Sequence, residues 1–355
     1  MNPAEHPDYL LNSFDQVNDN SETLLSKPLL RGIYSTGFVN PTTVQQLAIL
    51  GMTRGHDAII QAQSGTGKTG AFCIGSLSRI DLTQPEVQVL VLCPTVSLAR
   101  QTGQVYRDIG RYLFPDSSNN KTGELSPDWL LVSYGGGTPF EQEIRLLQSG
   151  KVRVVVGTSG RVSHLMRERV FGRFLKIVIF DEADVFLEDN FVTEICSILE
   201  KVPQSVQVCL FSATMSIPIL NNARKLVRKD PPCVEVLLDC GQVTLDGITQ
   251  HKIVIPESTT DSDQIKFAVI SELYQHYSVA RCVIFTNSRK RAEWLGQGLK
   301  SNGYSVAILH GDLSKEDRIS VETSFREGVN RILVSSDLLS RGFDVQDLSL
   351  VINFD

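Results

Sequence analysis

Short apolar runs alternate with stretches of helical spacing along most of this chain. In the first part the runs are 58–60 (AII), 86–93 (EVQVLVLC), 129–134, 152–157, 176–180 and 206–211. Beyond residue 250 they are 251–255, 282–286, 305–309, 331–334 and 349–354. Runs this short and this continuously apolar suit strands buried on both faces. Their alternation with helical segments predicts an α/β fold of parallel sheets covered by helices. The 355 residues suffice for two such domains in tandem.

Breaks in the pattern place the boundaries. Pro231-Pro232 cannot continue a helix, and residues 239–247 hold turn formers without a period. The expected division is an N-terminal extension over 1–24, a first domain over 25–230, a linker over 231–249 and a second domain over 250–355. Residues 115–127 (PDSSNNKTGELSP) read as an exposed loop.

Composition narrows the function. With 42% hydrophobic and 21% charged residues, the chain is not of disordered composition. No apolar run approaches the roughly 20 residues of a membrane span, and residues 1–14 are polar and acidic with no cleavable signal. The net charge is −6. Up to residue 230 there are 22 basic and 23 acidic side chains, and after it 12 and 17. Neither half has a broad basic footprint, so any grip on nucleic acid must be local, through backbone amides and a few placed side chains. The seven cysteines include no CxxC pair, and several, such as Cys93 and Cys209, sit inside apolar runs. They are expected to be buried free thiols of a reducing compartment, cytoplasm or nucleus.

Chemistry enters at residues 62–69. Ala62-Gln63-Ser64-Gly65-Thr66-Gly67-Lys68-Thr69 follows an apolar run and precedes a helix-compatible stretch. Strand, tight glycine turn and helix are the context of a phosphate loop. Gly65 and Gly67 let backbone N–H groups close on anionic oxygens, and the helix N-terminus adds its positive dipole end. Lys68 supplies charge to the outer phosphates and Thr69 a hydroxyl for Mg²⁺. Ala62 stands where the strict pattern has glycine.

A second run, 176–180, leads into Asp181-Glu182-Ala183-Asp184. Alone, an acidic tetrapeptide is usually a solvated turn. At the end of a buried strand, Asp181 can hold Mg²⁺ and Glu182 can orient or deprotonate an attacking water. Ser212-Ala213-Thr214 ends another apolar run. Its hydroxyls are placed to bond the acidic tetrapeptide, although such a tripeptide by itself is more often a capping turn.

These three motifs, in this order, resemble the DEAD-box RNA helicases. Gly37-Phe38, Pro41-Thr42 and Gln45 resemble that family's Q motif, which implies that Phe38 and Gln45 belong to the nucleotide site, with upstream Phe14 stacking on the base. Pro94-Thr95 resembles the start of motif Ia, with Val96-Ser97 where the family has Arg-Glu. Gly136-Gly137-Thr138 resembles the GG motif, and Thr158-Ser159-Gly160-Arg161 motif Ib, with Ser159 replacing proline. Motif IV is resembled by 283–288 with Asn287, and the next backbone-binding segment by His310-Gly311-Asp312 with Arg318. Motif V is resembled by Ser336-Asp337 and by 340–344, where Gly342 and Asp344 would face the nucleotide.

The resemblance covers nearly the whole chain and is nearest to the translation initiation factor 4A branch. It implies two RecA-like domains, ATP and Mg²⁺ as ligands, and single-stranded or short duplex RNA held by its backbone. Pro94, Thr95, Gly136, Thr158, Arg161, Asn287, His310, Gly311, Arg318 and Ser336 are the implied RNA contacts. A monomer is expected, with protein partners in a ribonucleoprotein or translation complex and no membrane. The family pattern continues into an arginine-rich HRxGRxxR motif that these residues do not contain, so the second domain is expected to be incomplete. Loss of such a cation typically costs about 10³ in rate. That point, with Val96-Ser97, keeps a second reading in view, an ATP-gated RNA clamp or scaffold without turnover.

Overall fold

The structure is a computed structural model that describes residues 2, 7–17, 23–114, 128–135, 138–188, 192–238, 248–255, 261–336, 345 and 347–355. The chain divides into two compact units, Met1–Val243 and Thr244–Asp355. Gly136, Gly342 and Asp344 of the expected sites, and the 115–127 loop, lie outside the described residues.

The first unit holds α1 (Lys27–Ser35), α2 (Thr43–Thr53), β1 (Ala58–Gln61), α3 (Lys68–Leu77), β2 (Val89–Cys93), α4 (Val96–Gly110), β3 (Leu130–Ser133) and α5 (Phe140–Gln148). It continues through β4 (Val154–Thr158), α6 (Ser159–Arg167), β5 (Ile177–Asp181), α7 (Ala183–Phe186), α8 (Val192–Leu199), β6 (Gln207–Ser212), α9 (Ile217–Leu226) and β7 (Val234–Leu237). Its seven strands lie in the order β3-β4-β2-β5-β6-β1-β7, and every pairing is parallel.

The apolar runs become strands because both faces of the sheet are covered. Every residue of β2, β5 and β6 is buried. Alternate residues serve opposite layers. Val89, Val91, Ile177, Ile179, Cys209 and Phe211 pack with Phe72 and Tyr106 of α3 and α4. Leu90, Leu92, Val178, Phe180, Val208 and Leu210 pack with Leu165, Phe186 and Ile198 on the other side. Beneath the sheet's amino end, buried Asp57 pairs with Arg228 at 2.5 Å and accepts the Val208 N–H at 3.1 Å.

Several expectations need correction. The strand β7 pairs with β1 and falls inside the expected linker 231–249; its alternating Val234 and Val236 are buried against the first unit's core. Phe14 is fully buried and meets Tyr34 edge-on at 6.4 Å, so it is core and is not presented to a base. Cys196 is exposed, whereas Cys73, Cys93, Cys209 and Cys282 are the buried thiols expected.

The second unit contains α10 (Ser262–His276), β8 (Arg281–Thr286), α11 (Arg289–Ser301), β9 (Val306–Leu309), α12 (Lys315–Arg326), β10 (Ile332–Ser336) and β11 (Leu348–Asn353). Its parallel sheet has the order β11-β8-β10-β9. The run 251–255 forms no strand; Ile253 and Val254 are exposed, so no apolar layer holds them. Among the described residues no helix is long and apolar enough to cross a membrane.

Candidate functional site

Sheet order decides which motifs meet. Strands β5, β6 and β1 are neighbours, with Asp181 opposite Phe211 and Ser212 opposite Gln61. The acidic tetrapeptide, the Ser-Ala-Thr turn and the phosphate loop therefore leave the sheet side by side at its carboxyl edge. That edge is where open α/β sheets bind ligands. The ends of β2, β4 and β3 form the adjoining half of the same edge, and Pro94-Thr95 and Thr158–Arg161 come from β2 and β4.

The loop begins with an Ala62 N–H bond to the Ser212 carbonyl at 3.1 Å. Gly65 and Gly67 take φ of 80° and 95°, a region open to glycine at little cost. A Cβ on Gly67 would stand 2.8 Å from both Gln45 Nε2 and Thr42 Oγ1, whereas one on Gly65 would meet nothing within 4 Å. The Thr66 hydroxyl donates to the Gln63 carbonyl at 2.7 Å, and Ser64 is exposed. Lys68 lies back along the loop and donates to the carbonyls of Ala62 at 2.6 Å and Gln63 at 3.1 Å. Thr69 is half-buried in the first turn of α3.

The Q-motif residues brace this loop. Gln45 and Thr42 form a reciprocal capping box at the start of α2. Beyond it, Gln45 Nε2 donates to the Gly67 carbonyl at 3.3 Å and Thr42 Oγ1 to the Thr66 carbonyl at 2.8 Å. Phe38 closes on the first turn of α3, where a Cβ on Gly70 would lie 3.2 Å from its ring. Sequence reading had not assigned Thr42 a role, although Thr-x-x-Gln is a capping-box signature.

Asp181 is almost wholly buried. Its carboxyl accepts the Glu182 N–H at 3.1 Å and faces the Thr102 hydroxyl at 3.5 Å. Burial and the Glu182 charge push its pKa up to about 7, while Lys68 pulls the other way. Glu182 holds a left-handed φ of 54°, uncommon for a residue other than glycine and a common mark of a functional position. The Thr214 hydroxyl reaches Asp184 Oδ2 at 2.8 Å. Ser212 behaves differently from expectation: its hydroxyl closes the turn onto Thr214 and, among the described residues, bonds no carboxylate. One side chain that sequence reading left out thus holds the acidic tetrapeptide, Thr102 from α4, while Asp184 receives the hydroxyl bond expected of the Ser-Ala-Thr turn.

These groups suit a nucleotide with Mg²⁺. Among the described residues no three His, Cys, Asp or Glu side chains converge as a metal cage. Mg²⁺ beside phosphates needs none, since it takes one or two protein oxygens together with phosphate and water.

On the adjoining half, the Thr95 hydroxyl caps α4 by accepting the Leu98 N–H at 3.2 Å. Pro94 is half-buried beside it, and Thr158 stands at the start of α6 without a side-chain capping bond. Arg161 is committed within the protein. Its Nε pairs with Glu143 at 2.9 Å, its Nη2 bonds the Thr138 carbonyl at 2.9 Å, and its guanidinium lies over Phe140. Glu143 is fully buried; burial raises its pKa, against the pull of Arg161 and Ser133.

In the second unit, β8 leads into Asn287, whose N–H bonds Asp355 at 2.6 Å. His310 directly follows β9, with Nε2 3.5 Å from Glu293. Arg318 folds onto the carbonyls of Gly311 and, at 3.1 Å, Leu313. Ser336 is the half-buried last residue of β10. The sheet order brings Asn287 and Ser336 to adjacent strand ends, with His310 beyond.

Comparison with known proteins accords with this arrangement. Residues 42–222 match the DEAD/DEAH box helicase model and residues 265–355 the helicase conserved C-terminal domain. The chain belongs to the DEAD/DEAH box helicase family. This helicase is 40% identical to a probable eukaryotic initiation factor 4A of Trypanosoma cruzi, over 93% of its own length and 77% of that protein's. It is 39% identical to the ATP-dependent RNA helicase FAL1 of Eremothecium gossypii, covering 93% and 78% of the two chains. Among solved structures, it matches S. cerevisiae Dbp5 bound to RNA and ADP BeF3 with a TM-score of 0.81 and 30% identity, over 97% of this chain and 81% of that one.

Proposed function

We propose that the chain is an ATP-dependent RNA helicase whose first unit binds ATP on the β5-β6-β1 half of its sheet and RNA on the β2-β4-β3 half. The observation that carries this reading is the strand order, which sets three nucleotide motifs on adjacent strand ends and two RNA motifs on the next two, β2 and β4.

In this reading the N–H groups from Ser64 to Thr69 bind the phosphates, and Lys68 turns from the loop carbonyls to the outer phosphates. Asp181 and Thr69 hold Mg²⁺, which offsets the charge of the phosphates when bound. Asp181 does so as a carboxylate, because a nearby cation favours the ionised form. Glu182 orients the attacking water and takes its proton. Thr95, Thr158 and neighbouring amides contact the RNA backbone, with Asn287, His310, Gly311, Arg318 and Ser336 as contacts in the second unit. Backbone contacts give little sequence preference. RNA and ATP each favour the state that binds the other, so nucleotide binding tightens the hold on a single strand and opens a short duplex.

ATP turnover with and without single-stranded RNA, in this chain and in Glu182→Gln, tests the proposal. RNA should raise turnover, and Glu182→Gln should lower it roughly 10²–10⁴-fold with nucleotide still bound. Binding of nucleotide and RNA with no turnover under any condition would instead establish the clamp reading.

A further inference from the structure

Helix α4 starts in one half of the carboxyl edge and touches the other. Its capping residue is Thr95. Seven residues on, about 10 Å along the axis, Thr102 is fully buried with its hydroxyl 3.5 Å from Asp181 Oδ2. An ionised carboxylate only accepts and a hydroxyl has one proton to give, so Thr102 donates to Asp181. Among the described residues it supplies the side-chain hydrogen bond to that carboxyl, the other bond being the Glu182 N–H.

The helix is wedged along its length. A Cβ at Gly103 would fall 2.4 Å from Val132 of β3, and one at Gly110 2.6 Å from Trp129. From the outer side, a Cβ on Gly32 of α1 would fall 1.8 Å from the Ile109 carbonyl oxygen. Contacts this close leave α4 little room to bend, so displacement of its first turn is carried to Thr102 as motion of the whole helix.

We infer that Thr102 is a positioning residue that couples the two halves of the site: nucleic acid engaged at the start of α4 shifts the Thr102 hydroxyl and so reorients the Asp181 carboxylate. This rests on the proposed reading of Pro94-Thr95 as RNA contacts. Linkage makes the coupling reciprocal, so bound nucleotide must tighten RNA binding through the same bond.

The test measures binding of a labelled decauridine RNA to the whole chain, with and without a non-hydrolysable ATP analogue and Mg²⁺. Wild type, Thr102→Val and Thr102→Ser are compared. Valine keeps the branched shape and removes the hydroxyl; serine keeps the hydroxyl. The nucleotide-dependent gain in RNA affinity should fall about five- to tenfold in Thr102→Val and persist in Thr102→Ser. RNA affinity without nucleotide should match in all three, with melting temperatures confirming the fold. If Thr102→Val does not fold, Thr102→Ala measures the same quantity. An undiminished gain in the hydroxyl-free variant, or an equal loss in Thr102→Ser, would overturn the inference and leave the helicase reading standing. A wild-type chain with no gain at all would remove the coupling itself, and the inference with it.

Discussion

The two halves of the first sheet's carboxyl edge arise by the same folding rule and use their polar groups in opposite ways. At β5, β6 and β1 the hydrogen bonds run from motif to motif. Ala62 bonds Ser212, Gln45 and Thr42 bond the phosphate loop, and Thr214 bonds Asp184. At β2 and β4 they run from motif to scaffold. Thr95 caps its own helix, Ser159 bonds Glu194 at 3.2 Å, and Arg161 pairs with buried Glu143. The first half is braced around its glycine loop; the second is held in shape by its own side chains and offers mainly amides and helix starts. This half is also where Val96-Ser97 and Ser159 depart from the family pattern. A loop motif thus discloses its ligand more directly than a cation does, because a cation near a buried carboxylate is already employed.

The contrast is sharpest at Lys68. Lys68→Ala should reduce RNA-stimulated ATP turnover by about 10³-fold, or about 4 kcal/mol, while leaving RNA affinity without nucleotide unchanged. A coupled ATPase assay and RNA anisotropy read the two effects; retained turnover would make this half a scaffold like its neighbour. Arg161→Met attacks the other half. It leaves the Glu143 charge without its cation, and breaking such a buried pair costs about 3 kcal/mol. Thermal or denaturant unfolding should show that loss. A variant of full stability whose RNA affinity falls severalfold would instead make Arg161 chiefly a ligand for phosphate.

Much of this was legible in the sequence, for reasons that differ by element. Stretches such as 89–93 and 177–180 announced buried strands because nothing polar interrupts them, and the glycines of the phosphate loop are required by its backbone. The strand β7 was hidden because the half-exposed Glu235 and exposed Leu237 give an edge strand no continuous apolar run, and the preceding prolines suggested a break. The segment 251–255 misled for the converse reason: its residues favour a strand, and strand formation needs a partner. Phe14 resembled a stacking aromatic, but an aromatic side chain is as well placed in a core. The Thr102–Asp181 contact spans 79 positions and follows from the packing of α4 on the sheet, which no local pattern encodes. The same holds for the employment of Arg161.

Gly67→Ala sharpens the comparison at smaller amplitude. The new Cβ would meet Gln45 and Thr42 at 2.8 Å, at a φ that disfavours alanine. Nucleotide affinity should weaken by about 2 kcal/mol, measured by titration calorimetry. RNA affinity without nucleotide should stay within twofold, since the strain falls on the loop alone.

The smallest effect separates burial from ion pairing in the β2-β4-β3 half. Burial raises the Glu143 pKa above its ordinary 4.5, and Arg161 and Ser133 only partly oppose it. A carboxyl that holds its proton more tightly when folded favours the fold below pH 4.5, and that contribution is lost as pH rises through the folded value. Glu143→Gln has no proton to lose. Its stability relative to wild type should therefore be constant in acid, rise from pH 4.5 up to the folded value, and level off above it. A rise of about 1 kcal/mol is expected, read as the difference in melting temperature between the two proteins across pH 4 to 8. A difference that falls with pH would mean that pairing with Arg161 outweighs burial, and that this half of the edge is built around an ion pair as firmly as the other is built around its loop.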